Sequence, residues 1–405
     1  MRARGRCAWL ELTMVTLDQL LTDEALRRAE FPVVGNGIFL AHAGVTILPR
    51  RVVRVMQDHL EQSCLRMQEY PEAWKSVTET RGVAARLIGA RASEIALIGP
   101  TSVGLSLVAN GLEWRAGDEV VFHADDYPAN VYPWRDLERH GVIARALRPE
   151  KTGDITLELV ESALSPRTRL VALASCHYLS GQRIDVDAIG RMLRARGILF
   201  CLDAIQTLGA FETRVDHVDF LAADSHKWML GPMSAGIFYV KEELQEQLRP
   251  SLLGSWNVRS PNFIAQAEVA FERGGRRYEP GALNINGILG MREGIEMILE
   301  LGIEPISAQL RRLKARLHER LAPLGFEFLG PQPAHPLTSA ITTVWHPERP
   351  LEPLNEHLTK NGVTASLRHT RDGRAHLRFS PHFYNTEAEM DRVGDLMTEA
   401  MRLTA

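Results

Sequence analysis

Between about residues 80 and 240 short apolar runs alternate with longer stretches of mixed apolar and polar residues. The runs at 95–98, 119–122, 142–147, 169–174, 198–203 and 235–240 are rich in β-branched residues and predict strands. A further apolar run, 219–224, ends abruptly in polar residues. The intervening segments 83–89, 103–111, 132–140, 157–164 and 186–196 predict helices. Strands that are each followed by a helix predict a parallel sheet covered by helices on both faces. The 235–240 strand, coming after a glycine turn, is the candidate for an antiparallel one.

Outside this region the pattern changes. Residues 17–28 predict a short amphipathic helix, 38–40 a strand, 42–44 a turn and 50–66 a surface helix. The stretch 250–284 is rich in loop signals and long for an unstructured connection, which implies a functional or interface role. Helices at 288–301 and 306–324 follow. Strands near 340–345 and 374–380, a helix at 351–361 and a last helix from Glu387 predict a small α+β domain. The expected division is an N-terminal segment, 1–49, packing with the small domain; a large domain, 50–287; and a small C-terminal domain, 288–405.

Composition changes this picture little. Of 405 residues, 45% are hydrophobic and 24% charged, ordinary for a soluble globular chain. A net charge of −3 gives no electrostatic case for nucleic acid or an anionic membrane as partner. Cys7, Cys64, Cys176 and Cys201 show neither a CxxC pair nor a metal-ligand spacing, so no zinc site or disulfide framework is expected. The basic N-terminus is followed by an apolar stretch broken by Glu11 and Asp18, which is a poor signal peptide, and Met14 is an alternative start. The expectation is a cytoplasmic, soluble protein.

Candidate chemistry gathers where a parallel sheet binds ligands, beyond the carboxyl ends of its strands. Thr101, Tyr127, His177, Asp203 and Lys227 all fall there. Asp203 closes a buried strand, Gln206 follows it, and Lys227 sits in Ser225-His226-Lys227-Trp228 before the turn Gly231-Pro232. Taken singly, such a lysine is a solvated loop residue and such an aspartate a helix N-cap. Together they suit a Schiff-base lysine facing pyridoxal phosphate, whose aldehyde needs an amine and whose ring nitrogen needs an anion. Thr101-Ser102 at a helix start is either a cap or a phosphate site.

Asp203-Ala204-Ile205-Gln206 followed by Ser225-His226-Lys227-Trp228 resembles the signature of the fold-type I, class V aminotransferase-like enzymes. That family includes cysteine desulfurases, selenocysteine lyases, kynureninases and isopenicillin N epimerase-like proteins. The resemblance runs from Phe39 to Asn385. It implies an α/β fold with a mainly parallel, seven-stranded sheet in the large domain and a smaller α+β C-terminal domain. It also implies pyridoxal 5'-phosphate, a small amino-acid substrate and a homodimer with its active site at the interface.

Carried over position by position, Lys227 looks like the Schiff-base lysine, Asp203 the partner of the pyridinium nitrogen and Gln206 the partner of the phenolic oxygen. Thr101, Ser102 and His226 fall at phosphate-contacting positions, with Ser225 beside them. Tyr127 falls where an aromatic stacks on the ring, and Tyr178 also falls near the cofactor. Arg378, in Leu377-Arg378-Phe379-Ser380, falls at the arginine that grips the substrate carboxylate, a task suited to a guanidinium fork. Arg368 is a second candidate. His42, a turn residue by pattern, is carried on the substrate side.

The chain departs from cysteine desulfurases at four places. Tyr127 and Tyr178 stand where those enzymes have histidine and asparagine. The segment 368–374 is short and has no cysteine. Ala282 replaces a phosphate-contacting threonine. The resemblance implies reaction at Cα of an amino acid, with amino-group transfer as the first expectation. A C–S or C–C lyase or an epimerase is the alternative, and a non-catalytic homologue a further one.

Overall fold

The computed structural model describes residues 16–403. Cys7, Met14 and the basic N-terminus lie outside the described residues. A two-residue strand, β1 (Ile38–Phe39), leads in. The apolar runs then form β2 (Ile95–Ile98), β3 (Glu119–His123), β4 (Ile143–Leu147), β5 (Thr168–Ala174), β6 (Leu199–Asp203), β7 (Phe220–Asp224) and β8 (Gly236–Val240). These seven make one sheet in the order β2-β8-β7-β6-β5-β3-β4. β8 runs antiparallel to both neighbours, and the other pairings are parallel.

The expected class, a mainly parallel seven-stranded sheet, is therefore what the chain adopts. The central strands are buried along their length because helices cover both faces. β4, at the edge, alternates exposed and half-buried positions. Side chains of successive strand residues enter different cores. Leu97, Val121 and Leu221 pack with the helices Pro71–Ile88 and Ile285–Leu301, while Ala96, Val120 and Ala222 pack with Thr101–Gly111. Each fully buried Leu, Ile or Phe contributes about 1.5–3 kcal/mol of transfer free energy.

The second sheet is small and antiparallel. It comprises β9 (Glu327–Phe328), β10 (Thr342–Trp345), β12 (Ser366–His369) and β13 (Ala375–Phe379), in the order β12-β13-β10-β9. Its core is formed with the helices Ile303–Leu321, Leu351–Lys360 and Glu387–Leu403. The short strand β11 (Val363–Thr364) pairs in parallel with β1, and Ala41 bridges Ser380. The N-terminal segment is thus stitched to the smaller sheet. Thr46 N–H donates to the His226 carbonyl at 2.8 Å and ties the same segment to the lysine loop.

Several boundaries differ from the pattern. The helix expected at 17–28 is two, Leu17–Thr22 and Glu24–Glu30, because Asp23 ends the first and its carboxylate accepts Leu26 N–H of the second. The helix expected at 83–89 begins at Pro71, with proline at its first position and no side-chain cap to announce it. It stops at Gly89, whose φ of 74° suits glycine. The segment 132–140 is an α-helix, Tyr132–Asp136, that tightens into a 3₁₀ turn, Leu137–His140.

The 250–284 stretch contains two short 3₁₀ turns. Its second half is anchored. Glu279 takes Arg81 in a bidentate pair at 3.3 and 2.6 Å and accepts Leu97 N–H at 2.8 Å. The residues before it expose Leu252, Leu253, Phe263, Ile264 and Val269.

Candidate active site

Strand ends of the large sheet converge on one cavity of about 380 Å³. β2 delivers Pro100, Thr101 and Ser102; the turn after β3 delivers Tyr127; the loop after β5 delivers Tyr178. β6 delivers Asp203, with Ile205 and Gln206 beyond it, and β7 delivers His226 and Lys227. The opposite wall comes from Ala43, Gly44 and Val45 and from Arg368 on β12 and Arg378 on β13. Nearly all the residues singled out in the sequence meet here, because parallel strands carry their carboxyl ends to one side.

Lys227 is buried, 7% exposed, with Nζ 5.5 Å from the centre of the Tyr127 ring. Burial pushes its amine down to about 8; Asp203 opposes that shift, and Arg378 and Arg368 add to it. Asp203 is buried too. Its Oδ1 accepts Ile205 N–H at 3.1 Å, and burial pushes its carboxyl up to about 6 against that hydrogen bond and the charge of Lys227. Asp126 lies behind it, raised to about 7 by burial and then by the charge of Asp203. Gln206 is fixed at both ends. Its Oε1 accepts Trp228 Nε1–H at 2.9 Å and its Nε2 donates to Ala43 O at 3.1 Å. One amide hydrogen of Gln206 remains for a ligand.

The turn carrying Lys227 is held by Asp224. Its carboxylate accepts Ser225 N–H at 2.7 Å, Ser234 N–H at 3.1 Å and Ala235 N–H at 3.3 Å. His226 Nδ1 lies 2.9 Å from the same carboxylate. Gly231 is required here, since a Cβ on it would fall 2.4 Å from Ser225 Oγ. Asp224 was not singled out in the sequence, though its place as the last residue of a buried strand was visible.

At the other end, Thr101 and Ser102 open the helix Thr101–Gly111, whose first turn has no side-chain cap. Thr101 Oγ1 accepts Asp224 N–H at 2.9 Å, which leaves its own hydrogen to donate. An uncapped helix start with two hydroxyls is suited to an anion. Tyr127, half exposed, meets Tyr178 edge to face, with ring centres 5.6 Å apart. Arg378 is 2% exposed. Its Nη1 donates to Tyr178 O at 2.6 Å, while Nε and Nη2 have no hydrogen-bond partner. Burial, then the charge of Arg368, lowers its guanidinium to about 10.

Three residues do not reach this wall. Ser225 is fully buried and its Oγ donates to Pro232 O at 2.8 Å, so its hydroxyl serves the turn rather than the cavity. His42 lies behind the wall, between Thr46 Oγ1 at 2.7 Å and Tyr384 OH at 3.0 Å. His177 is buried against Ser180 Oγ and Asp125 O. Conversely, Ala43, Gly44 and Val45 line the cavity without having been foreseen, since nothing chemical marks small residues in a turn.

An amine, a carboxylate with one hydrogen bond, a spare amide hydrogen, an uncapped helix start and two unpartnered guanidinium nitrogens thus face one space. Among the described residues no group of His, Cys, Asp or Glu has the geometry to hold a metal ion, and no helix is long and apolar enough to cross a membrane.

The aminotransferase class-V profile matches residues 38–393. A probable cysteine desulfurase of Methanothermobacter thermautotrophicus is 28% identical over 391 residues, covering 92% of this chain and 96% of that protein. An uncharacterized aminotransferase of Bacillus subtilis is 26% identical, with 90% and 94% covered. Among solved structures, the apo cysteine desulfurase of Thermococcus onnurineus superposes with a TM-score of 0.86 at 24% identity, with 93% and 97% covered. The cystine C–S lyase C-DES, in complex with its product cysteine persulfide, gives 0.81 at 19% identity, with 92% and 99% covered. At those identities the structures establish the fold alone. The profile match establishes the family: the chain belongs to the class-V aminotransferases.

Proposed function

We propose that this member of the class-V aminotransferase family binds pyridoxal 5'-phosphate at Lys227 and transfers the amino group of an amino-acid substrate. The observation that carries the reading is a buried amine and a buried carboxylate facing one cavity whose other polar groups still lack partners. Those unmatched groups fit the cofactor. Lys227 would take its aldehyde, Asp203 its ring nitrogen and Gln206 its phenolic oxygen. Thr101, Ser102 and His226 would hold its phosphate at the helix start, and Tyr127 and Tyr178 would flank the ring. Bound there, the cofactor supplies an electron sink for charge developing at the substrate Cα.

The chain's own residues supply the rest. Arg378 is placed to take the substrate carboxylate on Nε and Nη2 while Nη1 stays on Tyr178 O. Lys227, with its amine near 8, has an appreciable neutral fraction at physiological pH and acts as the base that removes the Cα proton. The same amine returns a proton at a neighbouring atom, which amino-group transfer requires. Asp203, in a dry site, keeps a negative charge beside the ring position. Tyr127 and Tyr178 close the cavity toward solvent.

A second reading, a C–S lyase, is favoured by the relative named as a probable cysteine desulfurase. Among the described residues no cysteine lines the cavity: Cys176 and Cys201 are buried elsewhere, and Cys64 is exposed just past the C-terminal end of the helix Arg50–Ser63. Sulfur would therefore leave to solution rather than onto an enzyme thiol of this wall. The three thiols of the described residues are free, which fits a reducing, cytoplasmic compartment. The exposed apolar residues of 252–269 fit the face of a homodimer, which light scattering would detect.

The test is to mix the holoenzyme with a panel of amino acids in the absence of any keto acid. Formation of one keto acid per site, with the cofactor converted to its amine form, supports amino-group transfer. Release of sulfide or a persulfide with the cofactor unchanged establishes the lyase reading instead.

A further inference from the structure

Arg368 and Arg378 sit on adjacent antiparallel strands. Ser366 of β12 pairs with Arg378 of β13, so Arg368, two residues on, shares its face as a diagonal neighbour. Both side chains line the cavity, and their heads meet over Gly44. A Cβ built on that glycine would lie 3.4 Å from Arg368 Nη2 and 3.5 Å from Arg378 Nη2. A Cβ at position 44 would touch both at van der Waals distance.

Two like charges held together in this way favour an anion between them. Among the described residues no carboxylate pairs with either arginine, although most other buried or half-buried arginines have an acidic partner. The single carboxylate on the cavity wall, Asp203, lies across the cavity beside Lys227. On the reading proposed above, the cofactor phosphate is met by the helix start and the substrate α-carboxylate by Arg378. Arg368 then remains without an anion, and it stands at the mouth, exposed, where a side chain extending from Cα would pass.

We infer that Arg368 recognises a second acidic group, so that the substrate is an amino acid with an acidic side chain, of the aspartate or glutamate type. The inference rests on the proposed action at Cα, and its test separates the two. Two analogues that lack a hydrogen on Cα, 2-methylaspartate and 2-aminoisobutyrate, share the amino and α-carboxylate groups and differ in the side-chain acid. Their binding to the holoenzyme is read from the cofactor absorbance, without turnover.

The native protein is expected to bind 2-methylaspartate at least about tenfold more tightly, a typical scale for one charge-assisted contact. Arg368→Gln should bring the ratio down to about one, and Arg368→Lys should restore part of it. A ratio near one in the native protein overturns the inference while leaving action at Cα standing. So does a ratio that Arg368→Gln does not move, or a variant that weakens both analogues equally, which would assign Arg368 to the shared carboxylate. If neither analogue perturbs a cofactor that stays bound, action at Cα fails and the inference falls with it.

Discussion

The two walls of the cavity are built in opposite ways. On the large-sheet side the groups that hold the lysine turn and Gln206 in place have protein partners. Asp224 accepts three backbone N–H groups, Ser225 donates to Pro232 O, and Gln206 bridges Trp228 and Ala43. On the small-sheet side Arg378 is almost fully buried with two nitrogens unmatched, and Arg368 beside it has no acidic partner among the described residues. Buried polar groups ordinarily find partners, and leaving one without costs about 1–3 kcal/mol. The first wall is therefore set before any ligand arrives. The second is held in a costly state that a carboxylate would relieve, so binding energy is concentrated where the substrate enters.

The largest effect is expected at Lys227. Lys227→Ala should lower turnover by about 10³-fold or more, the scale of losing a positioned base together with the covalent anchor. Borohydride reduction of the native holoenzyme should fix the cofactor to the protein, and mass spectrometry should find none fixed to the variant. Turnover within tenfold of the native protein would remove the amine from the chemistry.

Next come two substitutions that should act in opposite directions on stability. Asp224→Ala strands the backbone N–H groups of Ser225, Ser234 and Ala235 and should destabilise the protein by about 3 kcal/mol in a denaturant titration. Arg378→Met removes a buried, under-satisfied cation next to Arg368. It should leave the cofactor-free protein as stable as the native one or more so, while weakening amino-acid binding by about a hundredfold. Equal destabilisation by the two changes would erase the difference between the walls.

The same asymmetry governs what could be foreseen. Asp203, Gln206 and Lys227 were legible because a parallel sheet sends its strand ends to one place, and each residue interrupts an apolar run. The strand Ser366–His369 was not, since two of its four residues are exposed and it carries no alternation strong enough to mark it. Its pairing with β13, which sets Arg368 beside Arg378, is a long-range fact of register. Ser225 lies within the motif yet points into the turn, and no spacing rule separates it from His226. Helix Pro71–Ile88 was half missed for a local reason: its N-terminus rests on Pro71 and carries no capping side chain.

Proton linkage between the walls gives a subtler test. The Lys227 amine titrates near 8 because it is buried, with Arg378 and Arg368 lowering it further and Asp203 raising it. Only the neutral amine attacks an aldehyde, so the rate of cofactor incorporation into the cofactor-free protein should rise with pH to a plateau, with its midpoint near 8. Removing a neighbouring cation favours the protonated amine. Arg378→Met should therefore move the midpoint to higher pH, and Asp203→Asn should move it to lower pH. A midpoint unmoved by either change would mean that the two walls do not sense each other.

The smallest effect is expected at the hairpin turn between β12 and β13. Arg371 reaches from it to Asp125 at 2.7 Å, across the mouth of a neighbouring cavity of about 680 Å³. Both partners are well exposed, 70% and 43%, so water competes for them. Arg371→Ala should change stability by less than about 0.5 kcal/mol. The strand β12 is held to β13 by its own ladder, so Arg368 should keep its place and the binding ratio of the two analogues should stay as in the native protein. A fall in that ratio would show that the ion pair, and not the register of the strands, sets Arg368 over the cavity. The unmatched wall would then be assembled by its surface as well as by its sheet.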